Sequence, residues 1–289
     1  MNRQGIAQKT SLSILIPAHN EAAGLARLLP EIQAMLAGWK HAPVVEIIVV
    51  DDGSSDDTAA VVVRLAEFDS RFRCVSLARQ SGQSTALVAA VSIAMGDWLA
   101  TLDADGQNDP ADIPLLWEEA RRGQLQAVLG WRRNRQDNCR TRWVSRMANR
   151  VRNRVLGQSI IDTGCSTRLI KATAMARLPR FEGWHRFLGP MLVASGAKIS
   201  QLPVNHRPRE NGRSHYNWRN RGLRVVADLF GVAWLNRRMI KVSPEKAVDK
   251  RPRLRFDSAH ELMNERGKTG SIGLSAELVE NHKKETFQR

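Results

Sequence analysis

Cysteine is scarce in this chain of 289 residues: Cys74, Cys139 and Cys165 lie far apart, and no CxxC pair occurs. That excludes a disulfide framework or a thiolate zinc site and reads as reduced thiols in a cytosolic protein. Long apolar runs are missing too. The run before Pro17 is too short for the apolar part of a signal peptide. No segment reaches the roughly 18 apolar residues of a membrane-spanning helix. The nearest, LRVVADLFGVAWL at 223–235, is short and carries Arg224 and Asp228. Glycine-rich phosphate loops are also lacking. No GxGxxG follows a strand, and RGKTG has neither the upstream glycine nor the strand of a Walker loop. No internal repeat is visible.

Acid is missing from one part only. Residues 131–224 hold 21 Lys and Arg against 4 Asp and Glu, whereas residues 1–130 hold 10 against 16. The middle segment's net +17 exceeds the +15 of the whole chain. Such a segment suits an anionic partner: nucleic acid, an anionic membrane surface or a phosphorylated substrate. At 43% hydrophobic, the chain can bury a core in one large domain or two small ones.

What is present alternates. LSILIPAHN, VEIIVVDDGS, FRCVSLA, WLATLDAD and LQAVLGWR are short apolar runs that predict buried strands. Between the first two, Leu25, Leu28, Leu29, Ile32, Met35 and Leu36 fall at helical spacing. SDDTAAVVVRLAEF predicts a helix capped by Ser54 or Ser55. GQSTALVAAVSIAMG and DIPLLWEEARRG complete an alternation that implies a doubly wound, mostly parallel α/β sheet with flanking helices. Ligands of such sheets bind beyond the carboxyl ends of the strands. Three ends are chemically loaded: PAHNE, DDGS and DADGQ. After residue 131, RWVSRMANRVRNRVLG predicts a helix with Val144, Met147, Ala148, Val151 and Val155 on one face and Arg142, Arg146, Arg150 and Arg154 on another. The expected organisation is a catalytic domain over 1–222, an amphipathic helix over 223–240 and a basic, polar, disordered tail over 241–289.

LDADGQNDP places three aspartates within seven residues. Counted from Asp103, the sixth and twelfth positions are Asn108 and Pro114, which excludes an EF-hand. Alternate residues of an extended segment share a side, so Asp103, Asp105 and Gln107 can converge. They form either a solvated turn or a hard-oxygen site for Mg²⁺ or Mn²⁺ bridging a diphosphate. Asp51 and Asp52 end another strand, where a carboxylate can accept from a ribose or a base N–H. The nearby serines and Asp56–Asp57 would serve a helix cap without them. Trp39, Trp98 and Trp117 read as core, Cys165 as packed and inert, His19 as a pocket wall, and Asp162 as a structural carboxylate or a base.

SILIPAHNEAAGL, IIVVDDGSSDDT, ARQSGQSTAL, DADGQNDP, GWRRNRQD, SRMANRV, DTGCSTRL, HRF and VNHRPRENGRSHY occur in this order across residues 12–216. Together they resemble the family-2 inverting glycosyltransferases of GT-A fold, in particular the polyprenyl-phosphate branch that includes dolichol-phosphate mannosyltransferase. The resemblance implies a nucleotide-sugar donor of GDP-mannose or UDP-hexose type and a polyprenyl-phosphate acceptor. It implies a divalent metal and no nucleic acid. It casts Pro17, Ala18 and Glu21 as the nucleotide-side wall, Asp52 with Asp51 as the nucleoside carboxylates, and Gly82 and Gln83 as the loop near the diphosphate. Asp103, Asp105 and Gln107 become the metal site. Arg133, taken as the end of the strand AVLGWR, and the Arg142/Ser145 pair become acceptor-phosphate contacts. His206, Arg207, Arg209, Arg213, Ser214 and Tyr216 become a loop closing on the donor.

There are departures. Gln80-Ser81-Gly82 stands where relatives often have Asn-x-Gly, and Arg213 where they often have Lys. Many relatives carry spans after the catalytic domain, and none is evident here. The expectation is therefore a protein peripherally associated with the cytoplasmic face of a membrane. CRTRW lacks the glutamine of the processive synthases' Q-x-x-R-W, and the G-x-G-T-R of sugar nucleotidyltransferases is missing. Two other readings stay open: a transferase acting on a hydroxyl with Asp162 as base, and a basic nucleic-acid-binding protein.

Overall fold

A computed structural model describes residues 10–133, 139–208 and 218–239, with 139–146 and 218–225 described by backbone alone. The first half repeats strand and helix: β1 Ser11–Ala18, α1 Ala22–Gly38, β2 Val44–Asp51, α2 Thr58–Ala66, β3 Phe72–Ser76, α3 Gln83–Ile93, β4 Trp98–Thr101 and α4 Asp112–Arg122. There follow β5 Ala127–Arg132, α5 Cys139–Leu156, β6 Arg168–Lys171, α6 Ala172–Met175, α7 Trp184–Ala194, β7 Ile199–Val204 and α8 Trp218–Arg238. The strands form one sheet in the order β3-β2-β1-β4-β6-β5-β7. The pairs are parallel except those of β6, which runs against both neighbours.

Period-two burial builds the two faces. Leu12, Ile14 and Ile16 of β1 meet α1 and α4 on one face, while Leu15 meets α3 and α7 on the other. The α1 leucines and Ile32 are buried as their spacing predicts, with Met35 partly buried. Trp117 contacts Trp39 and Trp98 edge-on at 5.9 and 6.0 Å, inside the core as expected.

One local expectation needs correction. α2 starts at Thr58, and neither Ser54 nor Ser55 caps it. Ser54 Oγ instead accepts from the Asn20 amide, and the Ser55 amide donates to Asn20 Oδ1, tying the β2 end to the β1 end. In α5 the apolar positions Met147 and Val151 face solvent, while Val155 and Leu156 pack on the core. The inward face is polar because the irregular segment 160–163 needs partners for its backbone. Asn153 Nδ2 donates to the Ile160 carbonyl and Asn149 Nδ2 to the Ile161 carbonyl.

The antiparallel β6 was not legible in the sequence, being four residues that begin with an arginine. Its direction matters. It sets Arg168 opposite Thr101 of β4 and Leu129 of β5, so the amino end of β6 joins the carboxyl ends of its neighbours.

Candidate active site

The crevice over these strand ends is a cavity of about 400 Å³. Pro17, Gln83, Leu102 and Asp103 line one side, and Arg132, Arg152, Arg168, His185 and Arg186 another.

On the acidic side, Ala18 is in register with Asp51. Asp51 Oδ1 accepts from the Ser54 amide at 3.0 Å. The buried Asp52 accepts from the Ser81 and Gly82 amides, one on each oxygen, both at 2.7 Å. Asp52 thus shapes the loop that begins α3. Glycine is required twice here. Gly82 has φ of 94°, and a Cβ on Gly53 would lie 2.6 Å from the backbone of Arg79. His19 Nδ1 lies 2.9 Å from the Asp52 carbonyl, and His19 is not among the residues lining the cavity. Glu21 donates its amide to Thr58 Oγ1.

The stretch Asp103–Gln107 alternates as expected: residues 103, 105 and 107 are partly exposed, 104 and 106 buried. Asn108 sets the turn from below. Its Oδ1 accepts from the Asp103 amide and Ser166 Oγ, and its Nδ2 donates to Thr167 Oγ1. Gln83 Nε2 donates to Asp103 Oδ1 at 3.0 Å. Burial first, then the charge of Asp105, pushes the Asp103 carboxyl above its ordinary range, against the Ser166 hydrogen bond and the charges of Arg168 and Arg132. Gln107 donates its side-chain amide to the Arg207 carbonyl. Among the described residues no group of three or more His, Cys, Asp or Glu is placed to hold a metal.

On the basic side, Arg132 rather than Arg133 lines the cavity. β5 ends at Arg132, and Arg133, one residue on, is exposed. Successive strand residues face opposite ways, so a one-residue difference exchanges wall for solvent. Arg132 Nε and Nη2 donate to Asp162 at 2.7 and 3.0 Å, a bidentate and largely buried pair. Arg168 Nη1 and Nη2 donate to the carbonyls of His185 and Thr163. Burial lowers the Arg168 and Arg152 guanidinium pKa values from their usual range. Cys165 beside them is buried and its thiol is pushed up to about 11, inert as expected.

Arg207, expected on the donor loop, instead anchors that loop's entry. Its Nη1 contacts both Glu31 oxygens at 2.8 and 2.6 Å, and its Nη2 lies 3.1 Å from Asp109. His206 bridges Asn108 in the adjoining strand pairing. Arg209, Arg213, Ser214 and Tyr216 lie outside the described residues, as do the side chains of Arg142 and Ser145. Sequence reasoning missed Arg132, Arg152, Arg168, His185 and Arg186 as site residues. The motifs DTGCSTRL and HRF contain three of them, but only the β6 direction and the α7 start bring them to the crevice.

Residues 13–178 match glycosyl transferase family 2. Dodecaprenyl-phosphate galacturonate synthase of Rhizobium johnstonii is 34% identical, over 80% of this chain and 68% of that protein. Undecaprenyl-phosphate 4-deoxy-4-formamido-L-arabinose transferase of Pseudomonas syringae is 37% identical, over 71% of this chain and 60% of that protein. Glucosyl-3-phosphoglycerate synthase from Mycobacterium tuberculosis, solved with Mn²⁺, UDP-glucose and phosphoglyceric acid, superposes with a TM-score of 0.63 at 21% identity, covering 79% of this chain and 81% of that one. At that identity the likeness is one of fold, the GT-A fold. The match over 13–178 and the two polyprenyl-phosphate relatives together show that this chain belongs to glycosyl transferase family 2.

Proposed function

We propose that this chain transfers a sugar from a nucleotide sugar, of the GDP-mannose or UDP-hexose type, to a polyprenyl monophosphate, with inversion at the anomeric carbon. The observation that carries the acceptor half is the Arg132–Asp162 pair. A hydroxyl nucleophile needs a base to take its proton. The described residues lining the basic side include one carboxylate, Asp162, and its oxygens are committed to Arg132 and to the Gly164 amide. A phosphate monoester is already anionic at neutral pH and needs no base. What it needs is fixed positive charge beside the anomeric carbon, and the Arg132, Arg152, Arg168 and Arg186 wall supplies that. The names of the two relatives support the same acceptor class.

Mg²⁺ or Mn²⁺ fits Asp103 and Asp105. The charge of Asp105 helps to raise the proton affinity of Asp103, and a cation relieves that repulsion. With two carboxylates from the protein, the diphosphate would complete the shell. Bound there, the metal would neutralise charge on the departing nucleoside diphosphate. Gln83, held to Asp103, and the α3 amino end would orient that diphosphate.

The acceptor arrives from a bilayer, and α8 supports peripheral contact with one. No helix among the described residues is long and apolar enough to cross a membrane. Leu229 and Val232 of α8 are buried in the core, while Val226, Phe230 and Trp234 on a second face are 51%, 62% and 59% exposed. Arg237 and Arg238 follow them, suited to anionic headgroups. The reaction belongs at the cytoplasmic face, a reading supported by the free thiols of Cys74 and Cys165.

Purified enzyme offered a nucleotide sugar with either a polyprenyl phosphate or the corresponding free alcohol tests the proposal. Transfer to the phosphate alone is expected; transfer to the alcohol alone sinks it. Thermal shift against nucleoside diphosphates with Mn²⁺ identifies the base.

A further inference from the structure

His185 opens α7 and lines the basic side of the cavity, yet nothing above gives it a task. Behind it lies Ser84, buried in the first turn of α3. Ser84 Oγ receives the Gly183 amide at 3.1 Å and the His185 amide at 3.5 Å, and it lies 2.7 Å from His185 Nδ1. A hydroxyl has two lone pairs and one hydrogen. Two backbone N–H groups occupy the lone pairs, so the hydrogen goes to Nδ1. Nδ1 is then the bare nitrogen, and the imidazole carries its proton on Nε2. An imidazolium would turn an Nδ1–H against an oxygen with no lone pair left.

We propose that Ser84 holds His185 as a neutral Nε2–H donor to the acceptor's phosphate, an assignment that rests on the polyprenyl-phosphate reading above. The lock removes the imidazole as a base and makes it a binding group. The surroundings explain why one is useful there. Arg132 is committed to Asp162, Arg168 to two carbonyls, and Arg186 lies 3.8 Å from Asp228. A phosphate with three acceptor oxygens therefore gains from a further N–H at the amino end of α7, where the helix dipole also favours an anion. Arg168 Nη1 holds the His185 carbonyl at 3.0 Å and so fixes the backbone that carries the ring. His185 touches the substrate; Ser84 is a positioning residue.

Two measurements test this separately. Nitrogen-15 NMR of the free enzyme, with the His185 ring signals identified by their loss in His185→Gln, reads the tautomer without any acceptor. The expected spectrum has the proton on Nε2 in the wild type and a tautomer mixture in Ser84→Ala, with Ser84→Thr restoring the wild-type pattern. A wild-type proton on Nδ1 overturns the lock. Steady-state kinetics with a polyprenyl phosphate then read the role. His185→Ala raises the KM for the lipid phosphate roughly three- to tenfold, the worth of one hydrogen bond, with the nucleotide-sugar KM near wild type. His185→Gln, which keeps an N–H at a similar reach, recovers most of the loss. An unchanged lipid-phosphate KM in His185→Ala, or a loss seen only in nucleotide-sugar KM, overturns the role. If wild-type enzyme uses a free alcohol and no lipid phosphate, the acceptor reading fails and the phosphate role with it, while the NMR result stands.

Discussion

The two sides of the crevice handle charge in opposite ways. On the acidic side, Asp51 and Asp52 are held by backbone amides, with no arginine in direct contact among the described residues. On the basic side, Arg168 is held by backbone carbonyls. Neutral dipoles position both sets, each charged hydrogen bond contributing about 1.5–3 kcal/mol. The scaffold therefore fixes its functional groups without cancelling their charge. A cation and a diphosphate can use one side, and a phosphate the other. Arg132–Asp162 is the departure, a direct ion pair that occupies the carboxylate where a free one would act as a base.

Removing charge from the acidic side should have the largest effect. Asp105→Asn or Asp103→Asn is expected to lower turnover by roughly two to three orders of magnitude. The melting temperature should change little, because neither residue packs in the core. Full activity in excess EDTA, or in either variant, would show that this side does not work through a cation.

The basic side should respond to position more than to charge count. Arg132→Ala removes a cavity-lining guanidinium and strands a buried carboxylate. It should lower transfer to lipid phosphate about ten- to a hundredfold and cost about 3–5 kcal/mol of stability. Arg133→Ala removes the same charge one residue away and should change transfer by less than about twofold. Nucleotide-sugar binding by calorimetry should hold in both. Equal losses in the two variants would mean that general positive potential, rather than the paired guanidinium, serves the acceptor.

This pair also shows where the sequence stops being legible. The parallel half of the sheet, its core and the acidic strand ends follow from apolar runs and turn residues, each a local signal. The basic side depends on contacts between distant segments. Whether Arg132 or Arg133 faces inward turns on where β5 ends, and one residue reverses the answer. Arg168 reaches the crevice because β6 is antiparallel, and four residues carry no signal of direction. In α5 the spacing predicts an apolar stripe, but helical period shows which residues share a side and not what covers it, and Met147 and Val151 lie exposed.

The outward apolar faces offer the next test of the comparison, because they lie on the half proposed to meet the lipid. Replacing Phe230 and Trp234 by serine should weaken sedimentation with anionic vesicles about tenfold or more, from the lost burial of two aromatic side chains. Turnover on a short, water-soluble prenyl phosphate should persist. Unchanged pelleting would remove α8 as the contact.

The smallest effect on turnover is expected at Asp112, where backbone dipoles fail to hold a carboxylate's charge. It is buried at the start of α4 and accepts from the Asn205 amide at 2.8 Å. Burial raises its pKa to about 6, aided by Asp109 and opposed by the Asn205 hydrogen bond and by Arg207. The unfolded carboxyl titrates near 3.9, so between these values the native state holds the extra proton. Stability from this residue is therefore present below about pH 4 and is lost as the pH rises through 6, a change on the order of 3 kcal/mol. Asp112→Asn cannot ionise. Its melting temperature should exceed the wild type's by several degrees at pH 7, and the gap should close towards pH 4. A gap independent of pH would mean that Asp112 is not the titrating group and that the Asn205 contact holds an ordinary carboxylate.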